Sequence, residues 1–231
     1  MKNLKPGDKN DEVLDLQKKL NQLFYCIDED SDYGNQTTTA VKTFQKRNSL
    51  PETGLIDDAT YNSIIADINY TNSIDKASLN RLAVLHPKIR AEVLHLVKLC
   101  YKNNVRIRVV QGYRTFAEQD ALYAQGRTKP GQIVTNAKGG LSNHNYSLAI
   151  DFCLLHPDSS ISWSEFEDAD HDGKKDWMEV VQIFKTAGYD SGIDWKFKDN
   201  PHLEKMFGYT IRQLLELHTS GKVDKDGYVI V

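Results

Sequence analysis

The stretch from Ser142 to Leu155 carries the pattern that most restricts how this chain can fold. Its second half alternates, with Leu148, Ile150, Phe152 and Leu154 on one side and Ala149, Asp151 and Cys153 on the other. Alternation of this kind marks a β-strand with one face buried. Asp151 therefore lies opposite the apolar face, between small residues that leave space beside its carboxylate. His144 precedes it by seven residues, across a loop that enters the strand. Downstream, Asp199-Asn200-Pro201-His202 supplies a second histidine, and Pro201 favours an extended backbone at Asn200, as in a strand. Two histidines and one carboxylate (His144, Asp151, His202) form the donor set of a catalytic zinc, which leaves a fourth position open for water. Asp199, three residues before the last donor, is a candidate base for activating that water. Spacing alone leaves open whether these side chains meet at a metal. The other histidines (His86, His95, His156, His171 and His218) read as surface or satisfied core residues.

Composition narrows the class without naming a chemistry. A hydrophobic content of 40% and a charged content of 26% describe an ordinary globular protein, and a net charge of -3 supplies no basic field to recruit nucleic acid. No apolar run approaches the roughly 18 residues of a membrane span. The opening Met-Lys-Asn-Leu-Lys-Pro-Gly-Asp lacks the apolar core of a signal peptide. The expectation is synthesis in the cytoplasm, with any extracellular target reached by another route. Cys26, Cys100 and Cys153 are odd in number and widely spaced, which fits a reduced compartment and small buried side chains rather than a disulfide framework.

Residues 1–68 read as a small all-α, three-helix domain. Val13, Leu16, Leu20 and Leu23 recur at helical spacing behind Asp11 as a cap, and Ala40, Val41 and Phe44 mark a second helix after the turn-rich Asp28–Asn35. Leu50-Pro51-Glu52-Thr53-Gly54 breaks that helix, and Asp57 or Asp58 caps a third through Tyr61, Ile64 and Ile65. Residues 69–80 are polar and are expected to contain a linker. Beyond them, Pro87–Tyr101 carries a helical apolar face, Arg106–Val110 alternates like a strand, and Ala117–Gln125 forms another helix. Residues 81–231 are thus expected to form an α+β domain.

Two family resemblances add to this reading. Pro6-Gly7-Asp8, Val13, Leu16-Gln17, Leu20, Tyr33-Gly34, Thr37, Ala40-Val41, Phe44-Gln45, Leu50, Gly54 and Thr60 follow the order seen in peptidoglycan-binding domains, which the first region resembles over nearly its whole length. The resemblance implies a cell-wall-binding module and identifies fold positions better than ligand contacts. The larger region resembles the zinc peptidases of the D-Ala-D-Ala carboxypeptidase and L-Ala-D-Glu endopeptidase family, which includes phage endolysins. The matching residues are Gln111-Gly112-Tyr113-Arg114-Thr115, Ala121–Arg127, Ser142-Asn143-His144, Ala149–Phe152, Asp194-Trp195 and Asp199–His202.

That likeness implies His144, Asp151 and His202 as zinc ligands, with Asp199 as the base that later protonates the leaving amine. It also gives Arg114 a role beside zinc, sharing the negative charge that develops on the attacked carbonyl oxygen; the plainer reading of Arg114 is a surface ion pair. Ser142 resembles a substrate-contacting position, or else caps a turn. Tyr146 and Trp195 are expected to shape the substrate pocket, and Asp194 to orient a ligand histidine. Ile193 stands where the family more often has glycine, which bears on the loop before Trp195.

A second metal signal lies between Asp151 and His202. Asp168-Ala-Asp170-His-Asp172-Gly173-Lys174-Lys-Asp176-Trp-Met-Glu179 fits the calcium loop D-x-[DN]-x-[DN]-G-x5-E. Asp168, Asp170, Asp172 and Glu179 would donate carboxylates, Lys174 its carbonyl, and Asp176 an oxygen directly or through water. Gly173 permits the turn, and Trp177–Ala187 the exit helix. The plainer reading is an acidic turn that caps this helix, although five crowded carboxylates repel one another unless a cation joins them.

The expected protein is thus a monomeric bacteriolytic enzyme that binds peptidoglycan, needs zinc and takes calcium, and cuts stem peptides at L-Ala-D-Glu, acting at the bacterial wall after release without entering a membrane. Trimming of terminal D-Ala, a bacterial autolysin, and a wall-binding protein with a degenerate peptidase domain are the alternatives.

Overall fold

Three helices, α1 (Asp11–Gln22), α2 (Asn35–Arg47) and α3 (Asp58–Thr71), dominate the first part of the computed structural model, which describes residues 3–231. Met1 and Lys2, which open both the 1–68 region and the segment read for a signal peptide, lie outside the described residues. Asn10, not Asp11, caps α1: its side chain accepts from the Val13 N–H, while Asp11 and Glu12 occupy the first turn, where negative charge suits the helix dipole. Asp57 caps α3 by accepting from the Thr60 N–H. Leu16, Leu20, Val41, Phe44 and Ile64 are buried together with Leu4, Tyr33 and Ile56.

Two buried glutamines close the loops that follow their helices. Gln17 Nε2 donates to Asp30 Oδ1 (2.8 Å) and to the Asp32 carbonyl (3.0 Å), and its Oε1 accepts from the Ser31 N–H. Gln45 repeats the device, donating to the Leu55 carbonyl (2.9 Å) and accepting from the Gly54 N–H (2.9 Å). Each satisfies backbone groups that a loop would otherwise leave unpaired. Residues 3–74 form one unit together with 90–98; residues 75–89 and 99–231 form the other.

The second unit is α+β. Its sheet is built on β2 (Ala149–Leu155), which pairs with β1 (Ile107–Gln111) along one edge. Along the other edge it pairs with β5 (His202–Glu204) and the short β3 (Ile161–Ser162). Beyond β5 lies β4 (Asp190–Ser191), and every pairing is antiparallel. The helices that follow α3 are α4 (Lys76–Leu82), α5 (Pro87–Lys102), whose residues 90–98 belong to the first unit, α6 (Phe116–Ala124), α7 (Asp176–Thr186) and α8 (Ile211–Thr219).

The segment 69–80, expected to hold a linker, is largely helical: α3 runs to Thr71 and α4 starts at Lys76. Its polar residues are structural. Asp75 caps α4 through the Ser78 N–H and pairs with Arg108 (2.9 Å), and the Ser78 hydroxyl accepts from the Val109 N–H (2.9 Å), tying α4 to β1. Among the described residues, no helix is long and apolar enough to cross a membrane.

Candidate metal centre

The register of β2 against β5 sets Asp151 directly opposite His202, so two candidate ligands meet across one antiparallel pair. A 3-10 turn at Asn143–Tyr146 delivers His144 from the loop before β2. The three donor atoms form a nearly equilateral triangle. His144 Nε2 lies 3.2 Å from Asp151 Oδ1 and 3.2 Å from His202 Nδ1, and the last two atoms are also 3.2 Å apart. A tetrahedral site with bonds of about 2.0 Å has edges of about 3.3 Å, so the donors stand at zinc spacing.

The opposite ring nitrogens are committed elsewhere, which fixes the tautomers. His144 Nδ1 is 2.7 Å from the Gly112 carbonyl and donates to it, leaving Nε2 free to ligate. His202 Nε2 donates to Glu204 Oε2 at 2.7 Å, leaving Nδ1. Glu204 is itself buried and accepts from Asn143 Nδ2.

The electrostatics of the cluster favour positive charge. Burial opposes the charge on Asp151, but the two imidazoles outweigh it and hold the carboxyl well below the usual range. Burial also opposes a charge on His202, yet Asp151 and Glu204 prevail and push its ring up to about 9. A site that draws a proton this firmly offers the same anionic environment to a dication. Asp199 lines the same cavity of about 660 Å³ as the cluster. Burial raises its carboxyl, and the neighbouring Asp151 raises it further against His202, His144 and Arg114. A carboxylate shifted upward is better matched to proton transfer near neutrality.

Arg114 also lines this cavity, with one guanidinium nitrogen 3.9 Å from Asp151 Oδ2. Its other terminal nitrogen donates to Gln119 Oε1 at 2.8 Å. Fully buried Gln119 in turn donates to the Ala137 carbonyl, which fixes the fork. Ser142 lines the cavity and makes no capping hydrogen bond, so the turn-cap alternative is not realised. Trp195 lines it too, its ring 4.9 Å from that of His202. Gly192 lets the segment before Asp199 fold back on itself: a Cβ there would lie 2.2 Å from the Asp199 carbonyl oxygen.

Two expected roles need correction. Asp194 does not orient a ligand; its carboxylate is exposed and pairs with Lys185 at 2.5 Å. Glu204 holds His202 instead, and a period of two along β5 already sets it on the same face as His202. Tyr146 does not reach the substrate cavity; its hydroxyl donates to the Gly140 carbonyl (2.7 Å) and its ring lines a separate cavity with Phe116 and His218. Gln119 left no signal in sequence, because a polar residue in a short helix reads as solvated.

In the acidic loop, ligand oxygens of Asp168, Asp170 and Asp176 lie within 4.8 Å of one another. Asp172 and Glu179 stand outside that group and face the Lys174 ammonium, at 2.6 and 3.7 Å. No carboxylate caps α7: its N-cap is Lys175, without a side-chain bond, and the Asp176 N–H donates to the Glu167 carbonyl.

Both regions of the chain match known proteins in sequence. Residues 9–64 match a family described as putative peptidoglycan binding domain, and residues 135–205 match one described as D-alanyl-D-alanine carboxypeptidase. The chain is 50% identical over 121 residues to the peptidoglycan L-alanyl-D-glutamate endopeptidase CwlK of Bacillus subtilis, covering 52% of this chain and 72% of that protein. The crystal structure of the Serratia marcescens L-Ala D-Glu endopeptidase ChiX aligns at a TM-score of 0.39 with 22% identity, over 57% of this chain and 88% of that one. The chain belongs to the D-Ala-D-Ala carboxypeptidase and L-Ala-D-Glu endopeptidase family of peptidases, with a peptidoglycan-binding domain preceding the peptidase domain.

Proposed function

We propose that this protein is a zinc-dependent peptidoglycan hydrolase that cuts the L-Ala–D-Glu bond of stem peptides. The observation that carries the reading is the 3.2 Å triangle of His144, Asp151 and His202 in one cavity with Asp199 and Arg114. The bond assignment draws on the likeness to the Bacillus subtilis endopeptidase. The family model's own description favours the second reading, removal of terminal D-Ala. A degenerate, non-catalytic domain is disfavoured because every candidate ligand and the base are retained together.

His144, Asp151 and His202 would hold the zinc, which when bound supplies the Lewis acidity that makes water nucleophilic and polarises the scissile carbonyl. Asp199 accepts the proton of the attacking water and passes it to the departing amine nitrogen. Arg114, fixed by Gln119, shares the negative charge gathering on the carbonyl oxygen, at no cost in reorganisation. Glu204 keeps His202 in its ligating tautomer. Ser142 and Trp195 border the cavity as substrate contacts. Calcium is the second cation, in the loop 168–179.

Metal analysis combined with a wall-lysis assay tests this function. One zinc per chain and lysis of purified walls are expected from the native protein, and neither from His144→Ala. Zinc-loaded native protein that leaves walls intact would refute the hydrolase reading.

A further inference from the structure

The geometry points to a calcium-controlled catalytic segment: calcium bound by the loop 168–179 fixes residues 165–170, and Glu165 transmits that order to Asn200, between the base Asp199 and the ligand His202. The catalytic half of this inference rests on the zinc-hydrolase reading above; the binding half does not.

A cluster of carboxylates is not in itself a cation site. Here the buried member decides. Asp176 is only 5% exposed, yet its Oδ1 has no hydrogen-bond partner, while its Oδ2 accepts from the Ala169 N–H. A buried carboxylate oxygen without a partner forfeits its hydration with nothing in return, so it calls for a cation. Burial pushes the Asp176 carboxyl up, and Asp170, Glu167 and Asp168 add to that effect. Oxygens of Asp168 and Asp170 stand within 4.8 Å of it. Glu179, at the position that chelates in such loops, also has a buried oxygen, Oε2, without a partner. These unmet acceptors are hard oxygen donors, the chemistry of calcium rather than of zinc.

The remaining ligands are presently held by an internal cation. The Lys174 ammonium lies 2.6 Å from Asp172 and 3.7 Å from Glu179, the fifth and twelfth positions of the loop. Lys174 is exposed and can swing into solvent, releasing both carboxylates to the ion. It therefore acts as a competitor that weakens, without abolishing, calcium binding.

The path to the catalytic segment is short. The Asp176 N–H donates to the Glu167 carbonyl (2.9 Å), and the Glu167 carboxylate meets His156 Nε2 (3.1 Å). Two residues earlier, Glu165 Oε1 accepts from Asn200 Nδ2. Asn200 Oδ1 is a further buried acceptor without a partner, so Glu165 is its side chain's link to the loop. From the other end of the loop, Trp177 packs on Phe152 with ring centroids 4.5 Å apart, next to Asp151 in β2. Ordering the loop restricts both neighbours of the zinc triangle.

The test titrates calcium into the zinc-loaded full chain by calorimetry, and measures zinc affinity and wall hydrolysis with and without calcium. One site with a Kd on the order of 10⁻⁴ M is expected, as for single extracellular modules. Asp168→Ala should abolish it, and Lys174→Ala should tighten it. Calcium should change both zinc affinity and hydrolysis by about tenfold, because coupling between two sites is reciprocal in binding. Glu165→Ala should keep calcium affinity and calcium-free activity but lose both responses. No binding at millimolar calcium overturns the site. Binding that leaves zinc affinity unchanged, or a Glu165→Ala protein that still responds, overturns the coupling. If no protein hydrolyses walls in any state, the hydrolase reading fails, and the zinc-affinity arm alone decides the coupling.

Discussion

His202 is gripped on both ring nitrogens, Nδ1 within 3.2 Å of Asp151 and Nε2 donating to Glu204 at 2.7 Å. A ligand held this way arrives with its tautomer and orientation set, so the metal does not have to order it. Glu204→Ala should therefore weaken zinc binding about 10–100-fold, read by competition with a chromogenic chelator. Asp199→Asn should keep zinc stoichiometry while kcat/KM falls about 10²–10⁴-fold, since it removes proton transfer and leaves the ligands alone. The candidate ligands were legible in sequence because the chemistry restricts them to histidine and carboxylate. Their supporting residues were less so: Asp194 carried the family pattern but pairs with Lys185, whereas Glu204 lay two residues from His202 on the same strand face. Gln119 holds Arg114 while it is tied to the Ala137 carbonyl of a loop across the fold, an arrangement that local pattern does not encode.

Among the elements, long periodic segments announced themselves and short ones did not. The alternation of β2 and the amphipathic faces of α1 and α5 repeat often enough to be read, but β5, with three residues, exists because β2 offers it an edge, and β4, with two, because β5 offers the next. Within 69–80, where the two units divide after Ile74, composition alone does not show that the polar Asp75 and Ser78 serve as cap and tie. Burial of Asp75 is outweighed by its bonds to Arg108 and Ser78, which lower its carboxyl. A depressed carboxyl stabilises the fold above its unfolded pKa of about 3.9 and ceases to do so as pH falls through the lower folded value. Asp75→Asn retains a capping side chain and loses the ion pair, so it should cost about 2 kcal/mol at pH 7 by urea denaturation. The deficit should shrink below about pH 4 and vanish once the native carboxyl is protonated. Gly192→Ala should displace the Asp199 backbone, since its Cβ would lie 2.2 Å from a carbonyl oxygen, and reduce hydrolysis more than it lowers Tm.

At the scale of the whole molecule, a peptidoglycan-binding domain and a peptidase domain share one chain. Tethering raises the local concentration of an enzyme at its polymer without changing the chemistry of the cut. Peptide-free glycan strands added in excess should slow hydrolysis of intact walls and leave cleavage of a soluble stem peptide unaffected; equal inhibition of both would mean that the first domain contributes no wall affinity. The architecture was legible because both domains carry their own sequence patterns. The bond that is cut depends on cavity shape, to which residues far apart in sequence contribute, so spacing could not name it. Mass spectrometry of peptidoglycan digested by the zinc-loaded protein tests that point most directly. New Ala carboxyl and Glu amino termini are the predicted products, and release of free D-Ala without them would contradict the endopeptidase account.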